Sequence, residues 1–448
     1  MGLGLFGGGL GAAKWLLRQG ARVTITDLKT EDKLHASVSA LEGEPIRWRL
    51  GRHEWSDFTD ADAVVVNPAV PKSSPYLRTA ADAGCHLTSE MNLFIERCPS
   101  RIAAVTGSNG KSTTTQMIYE ILRRKGRAWL GGNLGISLLN SLDNLSPDDW
   151  TVLELSSFQL EDLPRIRRGP DLAVVTHLTP NHLDRHGTME EYTKAKMNIV
   201  RRMNRHGIAI LNRSDPVTWE WRKKAKGTVW GFQLVPGEKF TGTFCEDDLL
   251  MFQQDGVQTP IMSLSDIPLP GEHNINNALV AIGAGLAAGA SREQVVDALS
   301  EFSGLPHRLE LVTESGGVRY YNDSKATTPD AAIVALQSFE DKVILLAGGY
   351  DKQLPIGAFG KTISDRVKLA ILMGDSAPAI RRSIRMSNRD AVDIQMVSDL
   401  RAGVAVAKSA AAEGDVVLLS PGFASYKMFN NYVERGELFR ELVGVNNQ

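Results

Sequence analysis

The stretch Ile102-Ala103-Ala104-Val105-Thr106-Gly107-Ser108-Asn109-Gly110-Lys111-Ser112-Thr113-Thr114-Thr115 decides the fold. A β-branched and apolar run ends at Thr106, a glycine-bounded turn follows, and Lys111 opens a helical segment. Strand, glycine turn and helix N-terminus together form a phosphate cradle, because backbone N–H groups face the anion and the helix dipole favours negative charge. Lys111 is then placed to reach terminal phosphates, and the Ser112 hydroxyl to ligate Mg²⁺. Val105 stands where the GxxxxGK[ST] pattern has its first glycine, so this is a variant of the usual nucleotide-binding loop.

The rest of the chain fits an α/β protein around that loop. Its 448 residues suggest about three domains. Fifty basic and fifty-two acidic residues nearly balance, which argues against a nucleic-acid partner. Cys85, Cys98 and Cys245 show no ligand spacing and suit a reducing compartment. The small apolar stretch 278–290 is too short and glycine-rich to span a bilayer, and no secretory signal is visible, so the cytoplasm is expected.

Strand-like and helix-like segments alternate, which predicts mainly parallel sheets. The first block, 1–92, carries Gly2-Leu3-Gly4-Leu5-Phe6-Gly7, an amphipathic stretch to Gly20, and Arg22–Asp27. This reads as a Rossmann-type turn, helix and second strand, with Asp27 at the tip where ribose or base contacts occur. A strand should precede the glycines. Either it is lost, or the true start lies upstream of Met1. The central block, 93–302, holds the phosphate loop, with further strands at 150–155, 171–176 and 207–211 and a helix over 274–288. The third, 303–448, has strands at 318–322, 342–347, 368–373 and 415–419.

Polar clusters follow several strand ends, where α/β folds line their ligand crevices. Glu154 ends an apolar strand and is costly to bury without a partner. Mg²⁺ beside the cradle is one partner, and solvent the bland alternative. In Thr176–His186, His182 can ligate a metal or simply be structural. No Cys or His-Glu-His pattern supports zinc, and one His with carboxylates suits Mg²⁺ better. Lys196, on composition alone, is a solvated helix lysine. Asn133 sits on a glycine loop and can donate to a ligand oxygen. Asn274 and Asn277 share a helix face and either grip an adenine or ribose or cap the helix. Arg308, at the junction of the last two blocks, reaches a nucleotide or makes a salt bridge. Asp323, Lys325 and Thr327 follow one strand end, Gly348–Lys352 another, and Ser420–Ser425 a third.

Taken in order, these motifs resemble the Mur ligase family, and its D-glutamate-adding branch in particular. The resemblance covers nearly the whole chain: Gly107–Ser112, Glu154–Leu160, His182–Arg185 with Lys196 after it, Asp323–Thr327 and Ser420–Ser425. It implies three domains: a Rossmann-like N-terminal domain, a central mononucleotide-binding domain and a Rossmann-like C-terminal domain. It further implies an ATP-dependent ligase, expected to be monomeric, that joins D-glutamate to UDP-N-acetylmuramoyl-L-alanine through an acyl phosphate. ATP would then lie on Gly107, Ser108, Asn109, Gly110, Lys111, Ser112 and Thr113, with Asn274, Arg308, Asp323 and Lys325. One Mg²⁺ would sit on Ser112 and Glu154 and a second on His182 and Lys196. The latter would be N6-carboxylated, which turns a repelling cation into an anionic ligand. Lys111, Glu154, His182 and Lys196 are the implied catalytic group. Gly4, Gly7, Asp27 and Asn133 would contact the uridine substrate. Thr327, Lys352, Ser425 and Tyr432 would contact D-glutamate, Tyr432 standing where a Phe is expected. An NAD-dependent dehydrogenase built on the first block leaves Lys111, Glu154 and Lys325 unexplained. A silent UDP-sugar sensor is not favoured, because every phosphate- and metal-handling position is filled. The closest rival is another ligase of the family with a different amino acid.

Overall fold

The computed structural model describes residues 1–448 except 6, 136, 238–239, 352–353, 389–391 and 445–448, and the side chain of Asp184. The chain forms two compact units, Met1–Asp266 with Ile275–Ser300, and Ile267–Asn274 with Glu301–Gln448.

The first unit is built on a nine-stranded sheet among the described residues. Its order is Val257–Ser263, Leu249–Gln254, Gly242–Glu246, Thr228–Phe232, Ile208–Asn212, Leu172–Val175, Arg101–Thr106, Trp150–Glu154 and Ala128–Gly132. All neighbours from Gly242–Glu246 onward pair in parallel. Ile102, Ala103, Ala104 and Val105 are fully buried, as expected of a central parallel strand covered on both faces. The helix Lys111–Lys125 buries Met117, Ile118, Ile121 and Leu122 at helical spacing, and ends on Gly126 after three basic residues that suit its C-terminal dipole.

Sequence reading finds the four central strands and misses Ala128–Gly132 at one edge, Thr228–Phe232 within the sheet and the far edge beyond it. There Gly242–Glu246, Leu249–Gln254 and Val257–Ser263 form an antiparallel meander. Its two-residue turns, Asp247-Asp248 and Asp255-Gly256, have positive φ at both positions, the backbone that hairpins favour.

In the first block, Val23–Asp27 pairs with Ile46–Leu50 and Ala63–Val65 with His86–Thr88, both in parallel. Where a strand was expected before the glycines, Gly2 N–H donates to Thr26 O (2.8 Å) and Met1 O accepts from Asn67 N–H (3.0 Å). Met1 and Gly2 thus bridge the two pairs. Asp27 is buried, and its carboxylate accepts from the N–H groups of Leu3 (2.9 Å), Gly4 (3.4 Å) and Lys29 (2.9 Å).

The second unit has a six-stranded sheet among the described residues, ordered Glu310–Ser315, Val318–Asn322, Val416–Leu419, Val343–Gly348, Val367–Met373 and Asp393–Met396. Only the first pair is antiparallel. Alternation within single strands divides the core into two layers. Leu345, Ala347 and Leu418 face one, while Ile344, Leu346 and Val417 face the other. Both outer strands, Glu310–Ser315 and Asp393–Met396, escape sequence reading because they are polar and largely unburied.

Asp27→Ala leaves three backbone donors without their acceptor. It is expected to lower stability by about 1–3 kcal/mol, read as a reduced urea midpoint with unchanged m-value.

Candidate active site

The loop after Arg101–Thr106 can be built only from glycine at two points. Gly107 has φ +152°, and a Cβ there would lie 2.0 Å from Thr176 Oγ1. Gly110 has φ +78° at the helix N-cap, and its Cβ would lie 2.4 Å from Asn277 Oδ1. Between them, Ser108 N–H donates to His177 O (2.6 Å), and the Ser108 hydroxyl meets Thr179 O (2.7 Å) and Tyr192 Oη (2.9 Å). Thr176 Oγ1 donates to Asn109 O (2.6 Å). Lys111 folds back so that Nζ donates to Ser108 O (2.8 Å).

Glu154 lies beside this cradle and is 3 % exposed. Ser112 Oγ donates to Oε2 (2.5 Å), and Asn133 Nδ2 to Oε1 (2.9 Å). Gly132 makes the Asn133 approach possible: its φ is +94°, and a Cβ would lie 2.2 Å from Glu154 O. Directly after Glu154, Ser156 and Gln159 close a capping box on the helix Ser157–Asp162.

Lys196 is 2 % exposed, so the solvated reading from composition is wrong. In the helix Met189–Arg201 it lies on the buried stripe with Tyr192, Ala195, Ile199 and Val200. Its Nζ donates to Gly107 O (2.8 Å) and Thr106 Oγ1 (3.2 Å), 4.9 Å from the Tyr192 ring centre. Burial, followed by the Lys111 charge, pulls its pKa well below the usual lysine value, while Glu154 pulls the other way.

His182 is exposed, with φ 54°, and its ring centre lies 6.5 Å from that of Tyr192 and 5.2 Å from that of Phe158. The turn that holds it is fixed on both flanks. His186 N–H donates to His182 O (2.9 Å), and the His186 ring contacts Ser157 Oγ (2.9 Å) and Glu161 (3.1 Å). Arg185 lies over the Phe158 ring and donates to the carbonyls of Pro68 (3.0 Å), Ala69 (3.0 Å) and Val70 (2.8 Å).

Near the N-terminus, Gly7 caps the helix Gly8–Arg18 at φ 80°, and its missing Cβ lets Gly135 O approach. Gly4 also has positive φ. Asn277 accepts from Thr114 Oγ1 (3.1 Å) and so packs against the phosphate-loop helix.

In the second unit, Asp323 is buried and accepts from Ser420 Oγ (2.7 Å) and Leu309 N–H (3.3 Å). Burial pushes its pKa up to about 7, against those bonds and the charges of Arg308 and Arg435. Lys325 Nζ lies 5.5 Å from the Tyr432 ring centre. Thr327 is half-buried and Ser425 buried. Asn274 Nδ2 donates to Pro270 O (2.7 Å) in the first turn of its helix. Lys352 lies outside the described residues.

Three family models match in chain order: the Mur ligase MurD-like N-terminal domain over residues 1–89, the Mur ligase middle domain over 105–285, and the Mur ligase glutamate ligase domain over 307–423. This chain belongs to the Mur ligase family. It is 41% identical over 436 residues to a UDP-N-acetylmuramoylalanine--D-glutamate ligase of Acetivibrio thermocellus, covering 96% of this chain and 92% of that protein. A relative with the same name from Roseiflexus sp. (strain RS-1) is also 41% identical, covering 99% and 97%. The solved UDP-N-acetylmuramate-alanine ligase MurC of Thermotoga maritima shares the fold, with TM-score 0.61 at 20% identity over 98% of this chain and 97% of that one.

In this Mur ligase, Lys111, Ser112, Asn133, Glu154 and Lys196 gather on one loop, while His182 approaches through the shared neighbour Tyr192. Sequence reading missed Tyr192, Thr106 and Arg435. Tyr192 precedes Lys196 by one helical turn and was legible from that spacing. Arg435 is 2 % exposed in a charged stretch, and nothing local in the sequence marks it.

Asp323 binds a proton in the folded state at a pH where the unfolded chain has lost it. Its contribution is therefore present below the unfolded value near 3.8 and is lost as pH rises through about 7. Without nucleotide, Asp323→Asn is expected to gain up to about 4 kcal/mol relative to wild type between pH 4 and pH 8, measured by urea unfolding at each pH.

Proposed function

We propose that this chain adds D-glutamate to UDP-N-acetylmuramoyl-L-alanine in peptidoglycan synthesis, with ATP as the energy source, in the cytoplasm. The observation that carries the reading is the joint placement of the Lys111 ammonium and the Ser112–Glu154 pair around one glycine loop.

An ionised carboxylate is a poor electrophile. Its oxygen attacks the γ-phosphorus of ATP, the bond to ADP breaks, and an acyl phosphate forms. The amine of D-glutamate then attacks the acyl carbon, inorganic phosphate leaves, and the nitrogen loses a proton. The loop 107–113 would bind the ATP phosphates through backbone N–H groups. Lys111 would exchange its Ser108 carbonyl for a phosphate oxygen and offset the charge of the transferring group. Asn274, Arg308, Asp323 and Lys325 would hold the rest of the nucleotide. Gly4, Gly7, Asp27 and Asn133 would hold the uridine substrate. Asp27 would act mainly by shaping the glycine turn, since its oxygens already accept three N–H groups. Thr327, Lys352, Ser425 and Tyr432 would receive D-glutamate.

The Ser112 hydroxyl and Glu154 carboxylate are hard oxygen donors of the kind Mg²⁺ takes, and the present partners of Glu154 are neutral. Those two residues would hold one ion, and His182 with Lys196 a second. Mg²⁺, when bound, supplies charge neutralisation on phosphoryl and carboxylate oxygens. Lys196 fits that role as a carbamate, whose oxygens replace a cation buried beside Gly107 O and near Lys111.

An amino-acid panel with UDP-N-acetylmuramoyl-L-alanine and ATP, read by phosphate release, tests the reading. D-Glutamate is expected to give turnover. Robust turnover with another amino acid and none with D-glutamate rejects the specificity. Lys196→Ala is expected to lose activity and regain part of it with added short carboxylates, whereas full activity without rescue removes the carbamate.

A further inference from the structure

One short helix, Ser157–Asp162, begins three residues after Glu154 and ties that strand end to the first block. At its head, Phe158 stacks on the His186 ring (centres 5.1 Å apart) and carries the Arg185 guanidinium 5.0 Å from its own ring centre. At its foot, Asp162 is buried and pairs with Lys72 Nζ (2.5 Å), while its carbonyl accepts from Asn92 Nδ2 (2.7 Å).

Arg185 and Lys72 meet on one segment, 67–72, which leaves the strand Ala63–Val65. Asn67 shapes its first turn: Oδ1 accepts from Ala69 N–H (3.0 Å) and the backbone O from Val70 N–H (2.9 Å). Arg185 Nη2 takes the carbonyls of Pro68 and Val70, and Nη1 takes that of Ala69. A lysine ammonium can replace the charge but not the fixed directions of these donors. Asn67 also packs on the glycine turn. A Cβ on Gly2 would lie 2.8 Å from Asn67 Cβ, and one on Gly4 3.1 Å from Asn67 Nδ2. The segment therefore runs from the candidate uridine site at Gly4 to the turn that carries His182.

We propose that Arg185 is a positioning residue for acyl-phosphate formation, with Lys72 as a second tie, and that it sets the distance between the first block and the His182 turn. The proposal rests on the function proposed above. There the uridine substrate lies on the first block and the ATP phosphates on the central one. The substrate carboxylate and the γ-phosphorus react only when that spacing brings them into line and near contact. Arg185 acts through the carbonyls of Pro68, Ala69 and Val70 on one side and through Phe158 and its own turn on the other.

The test compares wild type with Arg185→Lys on the intact chain. Calorimetric titration with UDP and with ATP gives the affinity for each ligand and the number of intact UDP sites. kcat with UDP-N-acetylmuramoyl-L-alanine, ATP and D-glutamate is then expressed per UDP site, so that unfolded protein does not count. The expected result is a fall of roughly ten- to a hundredfold in kcat per site, the scale of moving reacting groups by up to about 1 Å, with both dissociation constants unchanged within about twofold. An unchanged kcat per site overturns the proposal. A fall matched by lost affinity for UDP or ATP also overturns it, because that reports general loosening. If Arg185→Lys fails to fold, Lys72→Met removes the second tie and leaves Asp162 paired with Arg165 (3.2 Å). A smaller fall in kcat per site with both affinities kept then supports the proposal, and an unchanged kcat overturns it. Wild type keeps the two readings apart. If it is silent with D-glutamate, the proposed function fails; if it turns over and the variants match it per site, only the role of Arg185 fails.

Discussion

The first unit is organised by one constraint: a carboxylate, Glu154, ends a buried strand and must be satisfied there. Ser112 from the adjacent helix start and Asn133 from the neighbouring strand's loop supply its two hydrogen bonds. Gly132, with positive φ, lets the Asn133 loop lie against the Glu154 backbone, and Gly110, with positive φ, opens the helix that carries Ser112. Lys196, Thr106 and Tyr192 then close the floor of the same loop. Oxygen donors, an ammonium and a helix N-terminus converge at the carboxyl ends of parallel strands because the topology puts all such ends on one edge.

The second unit meets a similar constraint with opposite charge. A buried guanidinium, rather than a carboxylate, gathers the loops. The nearby Asp323 partly offsets it, and burial draws both groups toward neutrality, Asp323 upward and Arg435 down to about 10. Taking two such charges out of water costs stability, which the hydrogen bonds to each offset.

The central parallel strands and the phosphate loop were legible because they obey local rules: apolar β-branched runs, then polar or glycine turns, then a helix start. Asp255-Gly256 was equally legible as a hairpin turn, yet Asp247-Asp248 carries no such signature and the strands around it are ordinary in composition. Glu154 stood out because an acid at an apolar strand end needs a reason. Lys196 did not, since a helix lysine is usually solvated, and only its register with Tyr192 and Ile199 betrays the buried face. Asp27 was read as a ligand contact, but its backbone partners are set by long-range pairing that no local pattern encodes. Arg435 was invisible for the same reason: its partners lie 12 and 111 residues away.

Arg185 grips three consecutive carbonyls of the 68–70 segment while its own turn carries His182. Backbone acceptors are present whatever side chains occupy those positions, so this clasp is indifferent to most substitutions at Ala69 or Val70. The clasp thus fixes the path of the segment's backbone and leaves the side chains to other duties: Ala69 faces outward, while Val70 packs on the apolar cluster of Phe58, Val64 and Leu77.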